Sequence, residues 1–288
     1  MNISPTISNE ELLNKIKLSI KNKTPLSYVR MGDGEIVFLK SSDNVEDDEL
    51  IIAEEALTSI FNRHNQVYHP IDSKNSLFYK KYKKIIIDSI KDSDYLGMFT
   101  YQEIIDLNNA GFYDIDDRYV PNKKVLESYD FDFNKIKTCS PMFNRFPGLG
   151  IIDNFKKLIG DERITIMTDM SEELKTNKKF QNTFGDNVDF ISVNHQHASN
   201  ADKSFYQREY IRSQFKNIQS HVVLYALGGG AKDLCNELKN DWGKCVIDMG
   251  SVIDAWAGRI SRPSYLHLWS HCLTVPLADA PHKLTCIL

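Results

Sequence analysis

The chain has 288 residues, of which 42% are hydrophobic and 26% are charged, and its formal net charge is −4 at pH 7. This length and composition allow a large buried core and exclude a disordered protein, and the slight negative charge excludes a general electrostatic affinity for nucleic acid. The five cysteines are widely spaced and include no C-x-x-C pair. That pattern argues against a disulfide framework and against a zinc site, and it favours a reducing cytoplasm.

The first predicted element is a helix over residues 8–23. Ser8 stands at the position of an N-cap, acidic residues follow it, and apolar residues recur at helical spacing. The sequence shows neither the pattern of a secretory signal nor an apolar run long enough to span a bilayer. We therefore expect a cytoplasmic protein, with peripheral contact at the inner face of the membrane as an open alternative.

The motif VRMGDGE at residues 29–35 follows the first predicted strand. The guanidinium of Arg30 presents a planar fork of donors that suits phosphate oxygens. Asp33 and Glu35 are two residues apart, so in an extended segment both carboxylates point to one side and suit a hard cation such as Mg²⁺ or Mn²⁺. Gly32 permits a close backbone approach. An ordinary polar turn is the other interpretation of these residues.

The elements predicted over the next hundred residues are less regular. An acidic run opens a helix over residues 46–60, a lysine-rich helix surrounds residues 80–84, and a short apolar strand covers residues 95–100. Residues 102–140 are irregular and rich in aromatic side chains. Such a segment suits sugar binding at an acceptor site, and it equally suits a core that is rich in loops.

Strands and helices alternate from residue 150 onward. Predicted strands cover residues 163–169, 188–193, 221–227 and 245–250, with helices between them. This order predicts a single α/β domain, Rossmann-like, with a largely parallel sheet flanked by helices. Its core covers about residues 25–256, and residues 257–288 form a C-terminal extension.

Polar residues follow several of these strands, where open α/β sheets bind their ligands. Asp169 and Asp248 lie at or near the ends of two predicted strands, Asp254 follows the second of these strands, and His195 and Asn200 come after a third. These side chains are therefore candidates for one common site at the edge of the sheet.

Arg208 and Arg212 are four residues apart on a predicted helix over residues 205–218. Residues at this spacing lie on one helix face. The pair suits an anionic ligand or ordinary salt bridges.

A glycine turn, Gly228 to Gly230, joins the most apolar strand to a helix predicted from residue 231. Such a turn presents free backbone N–H groups and suits phosphate. A tight connection without a ligand is the alternative, and the spacing is not that of a dinucleotide-binding or P-loop motif.

The motif at residues 29–35 resembles the R-[FM]-G-D-G-E signature of the GT-D-type glycosyltransferases, a bacterial family. Residues 224–231 and 246–250 resemble the family's L-x-A-L-G and A-x-D-x-G block, and Asn200 with its neighbour Ala201 matches an Asn-Ala pair. The histidine that usually follows the glycine of the second block is replaced here by Ser251.

The resemblance implies a GT-D-type fold and a metal-dependent transfer of a sugar from a nucleotide-sugar donor, with a UDP-sugar as the expected donor, to a glycan or glycolipid acceptor. It implies that Glu35 holds Mn²⁺ or Mg²⁺, with Asp33 either on the metal or on the donor ribose. The residues expected to bind the donor are Arg30, Gly32, Asp33, Asn200, Gly228, Gly229 and Gly230. The candidates for the catalytic base are Asp248, Asp254, Asp169 and His195. A metal-dependent phosphoesterase and a non-catalytic nucleotide- or sugar-binding module remain as alternative functions.

Overall fold

The structure, a computed structural model, describes residues 6–31, 35, 39, 77–98, 126, 129–132, 135, 137–140, 143–193, 204–205 and 207–259. Helices and strands are numbered below within these residues. The helix predicted over residues 46–60 and nearly all of the predicted C-terminal extension lie outside them.

A seven-stranded parallel sheet lies at the centre of the described residues. Its strands are β1 (Leu26–Arg30), β2 (Tyr95–Gly97), β3 (Lys137–Cys139), β4 (Ile164–Thr168), β5 (Val188–Ser192), β6 (Val222–Ala226) and β7 (Cys245–Asp248). The spatial order is β3-β2-β1-β7-β6-β4-β5, and every neighbouring pair is parallel. All strands therefore end at one side of the sheet, called the carboxyl edge below. The Rossmann-like, largely parallel α/β sheet that the sequence predicts is confirmed.

The described helices cover both faces of the sheet. They are α1 (Asn9–Asn22), α2 (Leu77–Lys91), α3 (Pro147–Gly150), α4 (Ile152–Ile159), α5 (Ser171–Thr176), α6 (Lys178–Phe184), α7 (Arg208–Ser213), α8 (Leu234–Asn240) and α9 (Val252–Trp256). None of these helices has both the length and the apolar character that crossing a membrane requires.

Two predicted helices differ from the observed ones. The helix predicted over residues 205–218 is the short α7 followed by a 3₁₀ turn at Phe215–Asn217. The helix predicted from residue 231 begins later, because a 3₁₀ turn at Gly229–Ala231 precedes α8. The start of α1 agrees with the prediction, since Ser8 and Glu11 form a reciprocal capping box.

Successive strand residues enter two apolar clusters on opposite faces of the sheet. Tyr28 and Ile247 belong to the cluster that includes residues of α1, α4, α6 and α9. Val29 and Val246 belong to the cluster that includes residues of α7 and α8. A parallel sheet covered on both faces produces continuous apolar strands, which is why the strand at residues 221–227 is so clear in the sequence.

Candidate functional site

Four charged residues meet at the carboxyl edge where β1 and β7 lie side by side. Arg30 is the last residue of β1 and Asp248 the last of β7. The Arg30 backbone N–H donates to Asp248 Oδ2 at 3.1 Å. Glu35 follows β1 and Lys232 precedes α8, and an ion pair joins their side chains. We call Arg30, Glu35, Lys232 and Asp248 the charge cluster.

The ammonium group of Lys232 holds the charge cluster together. Its Nζ donates to the Arg30 carbonyl oxygen at 2.5 Å and to Glu35 Oε1 at 2.5 Å, and it lies 3.3 Å from Asp248 Oδ2. The side chains of Lys232 and Asp248 are 6% and 3% exposed, and that of Glu35 is 17% exposed. A buried ammonium needs polar partners for its donors, and here it has two hydrogen-bond acceptors and an ion pair with Asp248.

Lys232 carries its positive charge at neutral pH. Burial acts to lower the pKa of Lys232, but the carboxylates of Glu35 and Asp248 outweigh burial and raise that pKa above its usual value. The charge cluster therefore combines two cationic and two anionic side chains. A buried group of this kind is stable only when the charges remain paired.

The guanidinium of Arg30 lies against the turn that follows β7. Gly250, in this turn, has a φ of +49°, and a Cβ added there would collide with Arg30 Nη1. The same Cβ would lie 3.7 Å from Asp248 Oδ1. Gly250 therefore serves two needs, since it adopts a left-handed conformation and leaves room for the guanidinium.

The glycine turn after β6 is packed between two tyrosines. Tyr225 Oη donates to the Gly228 carbonyl oxygen at 2.7 Å, and a Cβ added at Gly229 would collide with the hydroxyl of Tyr82 from α2. Gly229 and Gly230 are buried, whereas Gly228 is exposed. Close packing of Tyr82 is thus a sufficient reason for a glycine at position 229. Phosphate binding by this turn stays a prediction.

Asp248 occupies a buried position that suits a structural role. Its Oδ2 accepts the Arg30 N–H and lies beside the ammonium of Lys232. A general base must come within hydrogen-bonding reach of the hydroxyl that it deprotonates. These contacts favour a role for Asp248 in fixing the ends of β1 and β7, and its role as a base stays a prediction.

The other predicted site residues are distributed as follows. Asp254 is partly buried in α9, shortly after Gly250. Asp169 is buried directly after β4, and β6 separates β4 from β7, so Asp169 and Asp248 do not lie on neighbouring strands. Four predicted residues lie outside the described part of the chain: Gly32, Asp33, His195 and Asn200.

The two arginines of α7 form ion pairs with carboxylates in and just before α8. Arg208 pairs with Asp233, and Arg212 Nε lies 2.9 Å from Glu237 Oε2. Burial raises the pKa of Asp233, and the charge of Arg208 opposes that shift. The sequence left two interpretations of Arg208 and Arg212, an anionic ligand or ordinary salt bridges. The structure shows salt bridges.

Glu35 offers the kind of ligand that Mn²⁺ and Mg²⁺ take in nucleotide sites. These ions prefer carboxylate oxygens, and Mg²⁺ bound with a nucleotide commonly has only one or two carboxylates and completes its shell with phosphate oxygens and water. Within the described residues, no group of three His, Cys, Asp or Glu side chains is arranged to hold a metal ion. A metal held by Glu35 and Asp33, with the donor phosphates, is compatible with that finding.

Lys232 is a site residue that sequence reasoning missed. Its one sequence signal is its position three residues before Cys235, which is buried on the inner side of α8. On the helix that the sequence predicts from residue 231, that spacing places the two residues on one face. A lysine on an inner helix face needs a buried carboxylate, and that requirement points to the charge cluster.

Comparison with known proteins places these features in a family. The model of the GT-D fold-like domain matches residues 7–256. The match spans the motifs around Arg30 and Asp248, so the resemblance seen in those motifs is confirmed. No curated protein matches the sequence.

Solved structures of domain of unknown function 1792 are similar to the chain in fold. A selenomethionine-substituted structure of that domain is 18% identical, with 94% of this chain and 84% of that chain covered and a TM-score of 0.50. A second, described as a distinct glycosyltransferase fold, has the same identity, coverage and TM-score. A third, described as a new glycosyltransferase from Streptococcus sanguinis, is 17% identical, with 94% and 90% covered and a TM-score of 0.49. The family model and the two structures with a TM-score of 0.50 confirm the GT-D-type fold that the resemblance implies.

Proposed function

Because the chain belongs to the family of GT-D fold-like domains, we propose that it is a metal-dependent glycosyltransferase acting on a nucleotide-sugar donor. The donor is a UDP-sugar, the metal is Mn²⁺ or Mg²⁺, and the acceptor is a glycan or glycolipid assembled on the cytoplasmic side of the membrane. The observation that supports this proposal is the charge cluster at the carboxyl edge, where sheets of this kind bind nucleotides.

Arg30 and Glu35 have the two main roles in donor binding. The guanidinium of Arg30, beside the Gly250 turn, binds the donor diphosphate through charge-assisted hydrogen bonds. Glu35 and Asp33 hold the metal, which when bound stabilises the negative charge of the departing nucleoside diphosphate. Lys232 and Asp248 fix the orientation of Glu35 and of the Arg30 backbone.

The acceptor hydroxyl needs a base if the transfer inverts the anomeric configuration. Asp254 and His195 are the residues that we propose for this role ahead of Asp248. The carboxylate of Asp248 already accepts a backbone N–H and lies beside an ammonium. Asp254 lies on α9, which directly follows the turn that accommodates Arg30.

The experiment that tests the proposal is transfer and donor hydrolysis with UDP-, dTDP- and GDP-sugars, with and without Mn²⁺, for the wild type and for Glu35→Gln. Glutamine keeps an acceptor for Lys232 but removes the anionic ligand. We expect Glu35→Gln to lower metal-dependent turnover by about 100-fold, the size of effect seen when one group that stabilises transition-state charge is removed. Circular dichroism checks that the variant folds.

Glu172→Gln is the matched control, because Glu172 is an exposed glutamate that pairs with Lys175 in α5. Wild-type turnover in Glu35→Gln would remove Glu35 from the site. Binding of the nucleotide without turnover would favour the non-catalytic module, and metal-dependent release of inorganic phosphate from phosphoesters would favour the phosphoesterase. Absence of both turnover and nucleotide binding with every donor would overturn the proposal.

A further inference from the structure

We propose that Lys232 is a positioning residue that makes binding of the divalent cation depend on binding of the donor diphosphate. This inference rests on the proposed function and adds a role for a residue outside the predicted site. The ammonium of Lys232 forms an ion pair with the carboxylate of Glu35, which is the proposed metal ligand.

The ammonium of Lys232 is fixed beside the proposed metal ligand. Lys232 Nζ contacts Glu35 Oε1, and its further contacts with the Arg30 carbonyl oxygen and Asp248 hold it in place. The lysine side chain is almost fully buried, so it cannot move into solvent without breaking all three contacts. A cation that approaches Glu35 therefore meets a fixed positive charge, and repulsion between close charges is strong where water is excluded.

The side chains of the charge cluster are balanced in charge. Arg30 and Lys232 carry two positive charges, and Glu35 and Asp248 carry two negative ones. Asp33, the second proposed metal ligand, adds one negative charge, so a bare divalent cation would leave the site with a net positive charge, whereas a cation that enters with a diphosphate brings its compensating charge with it. The charge cluster thus favours the metal–nucleotide complex over the free metal.

Lys232 contacts both of the elements that bind the metal and the donor. It contacts Glu35, the proposed metal ligand, and it contacts the backbone of Arg30, whose guanidinium is the proposed phosphate ligand. Since one buried side chain holds both, a change at one of them is transmitted directly to the other. This physical link is what coupling between two binding events requires.

The test is a set of binding measurements that do not depend on turnover. Calorimetry gives the Kd of Mn²⁺ alone, of Mn²⁺ with saturating UDP, and of UDP with saturating Mn²⁺, for the wild type and for Lys232→Met. We expect UDP to tighten Mn²⁺ binding by about tenfold or more in the wild type. In Lys232→Met we expect Mn²⁺ alone to bind about tenfold more tightly, because the repelling charge is gone, and the effect of UDP to shrink.

Two further variants separate this role from a general loss of structure. Lys232→Arg keeps the charge, and we expect it to restore the coupling. Lys239→Met removes a lysine from α8, the helix that follows Lys232. Lys239 contacts Asp94 and the Asp92 carbonyl oxygen, and we expect this variant to leave both affinities unchanged. A purely structural lysine would instead show weaker Mn²⁺ and weaker UDP binding together in Lys232→Met.

Unchanged or weaker Mn²⁺ binding in a folded Lys232→Met variant would overturn the inference. If that variant does not fold, the wild-type measurement decides, because equal Mn²⁺ affinity with and without UDP contradicts the coupling. Failure of the wild type to bind UDP at any Mn²⁺ concentration would instead contradict the proposed function. The two failures are therefore distinguishable.

Discussion

At the scale of single residues, Gly250 offers a direct test of the position of Arg30. Alanine at this site would have an unfavourable left-handed conformation, which costs about 1–2 kcal/mol, and its Cβ would collide with Arg30 Nη1. We expect Gly250→Ala to reduce the free energy of unfolding by about that amount. We also expect UDP affinity to fall about tenfold, as for the loss of one charge-assisted hydrogen bond. Urea denaturation and calorimetry measure the two effects.

Gly243→Ala is the matched control for this substitution. Gly243 has a φ of +65°, and no heavy atom lies within 4 Å of the Cβ position. This variant therefore has the same backbone strain but no contact with the site. Equal loss of UDP affinity in both variants would contradict the idea that Gly250 makes room for Arg30.

The sequence predicts some of these residues and not others, for a physical reason. Arg30 and Glu35 lie in one short motif, so their chemistry can be interpreted locally. Lys232 has no local signal of comparable strength, because Glu35, the carboxylate that pairs with it, is 197 residues away along the chain. Gly229 shows the opposite case. In the sequence it suggests a phosphate site, but in the structure it packs against the hydroxyl of Tyr82.

At the scale of single elements, α9 depends on one aromatic side chain. Trp256 is fully buried, its ring centroid lies 5.3 Å from that of Phe155, and its Nε1 donates to the Gly150 carbonyl oxygen at 2.7 Å. Trp256→Phe removes this hydrogen bond and leaves a small cavity. We expect a loss of about 2–3 kcal/mol in the free energy of unfolding, measured with urea.

Trp242→Phe tests whether this loss is specific. Trp242 is 42% exposed and packs edge-on against Phe215. We expect it to change the free energy of unfolding by less than about 0.5 kcal/mol, as is usual for surface positions. A loss of the same size in both variants would show that Trp256 has no special part in holding α9.

Strands with strong apolar runs were predictable, and those without them were not. Residues 163–169 and 221–227 correspond to β4 and β6, which lie inside the sheet with both faces covered. The three-residue β3 lies at an edge, inside a segment that the sequence shows only as irregular. A short edge strand has one neighbour and little buried surface, so its residues carry little of the pattern that identifies a strand.

At the scale of the whole molecule, the sequence predicts the class of fold but not the order of its strands. Alternation of strands and helices favours a parallel sheet, and that places the ligand site at the carboxyl edge. The order is set by contacts that are distant in sequence, such as the pairing of β1 with β7. That pairing brings Arg30 beside Asp248. The sequence therefore predicts that the site lies at the carboxyl edge, but it does not predict which residues meet there.

The pH dependence of global stability tests a contact between α1 and β6. His221 lies just before β6, and its Nε2 is buried with no hydrogen-bond partner among the described residues. Burial lowers the pKa of His221, and the charges of Lys23 and Lys244 act in the same direction, while the backbone of Ser19 and Thr24 acts in the opposite direction. The folded protein therefore takes up a proton at His221 less readily than the unfolded chain does.

The sign of the effect follows from this difference. Above the unfolded pKa of about 6.5 both states are neutral at this position, and the contribution of His221 to stability is fully present. As the pH falls below that value, the unfolded chain binds the proton first, so stability is lost with a slope of at most about one proton. We expect urea denaturation at pH 7.5 and pH 5.5, values chosen about one unit to either side, to show a larger loss for the wild type than for His221→Gln. Parallel losses in the two proteins would show that His221 titrates alike in the folded and unfolded states, because every other group contributes equally to both.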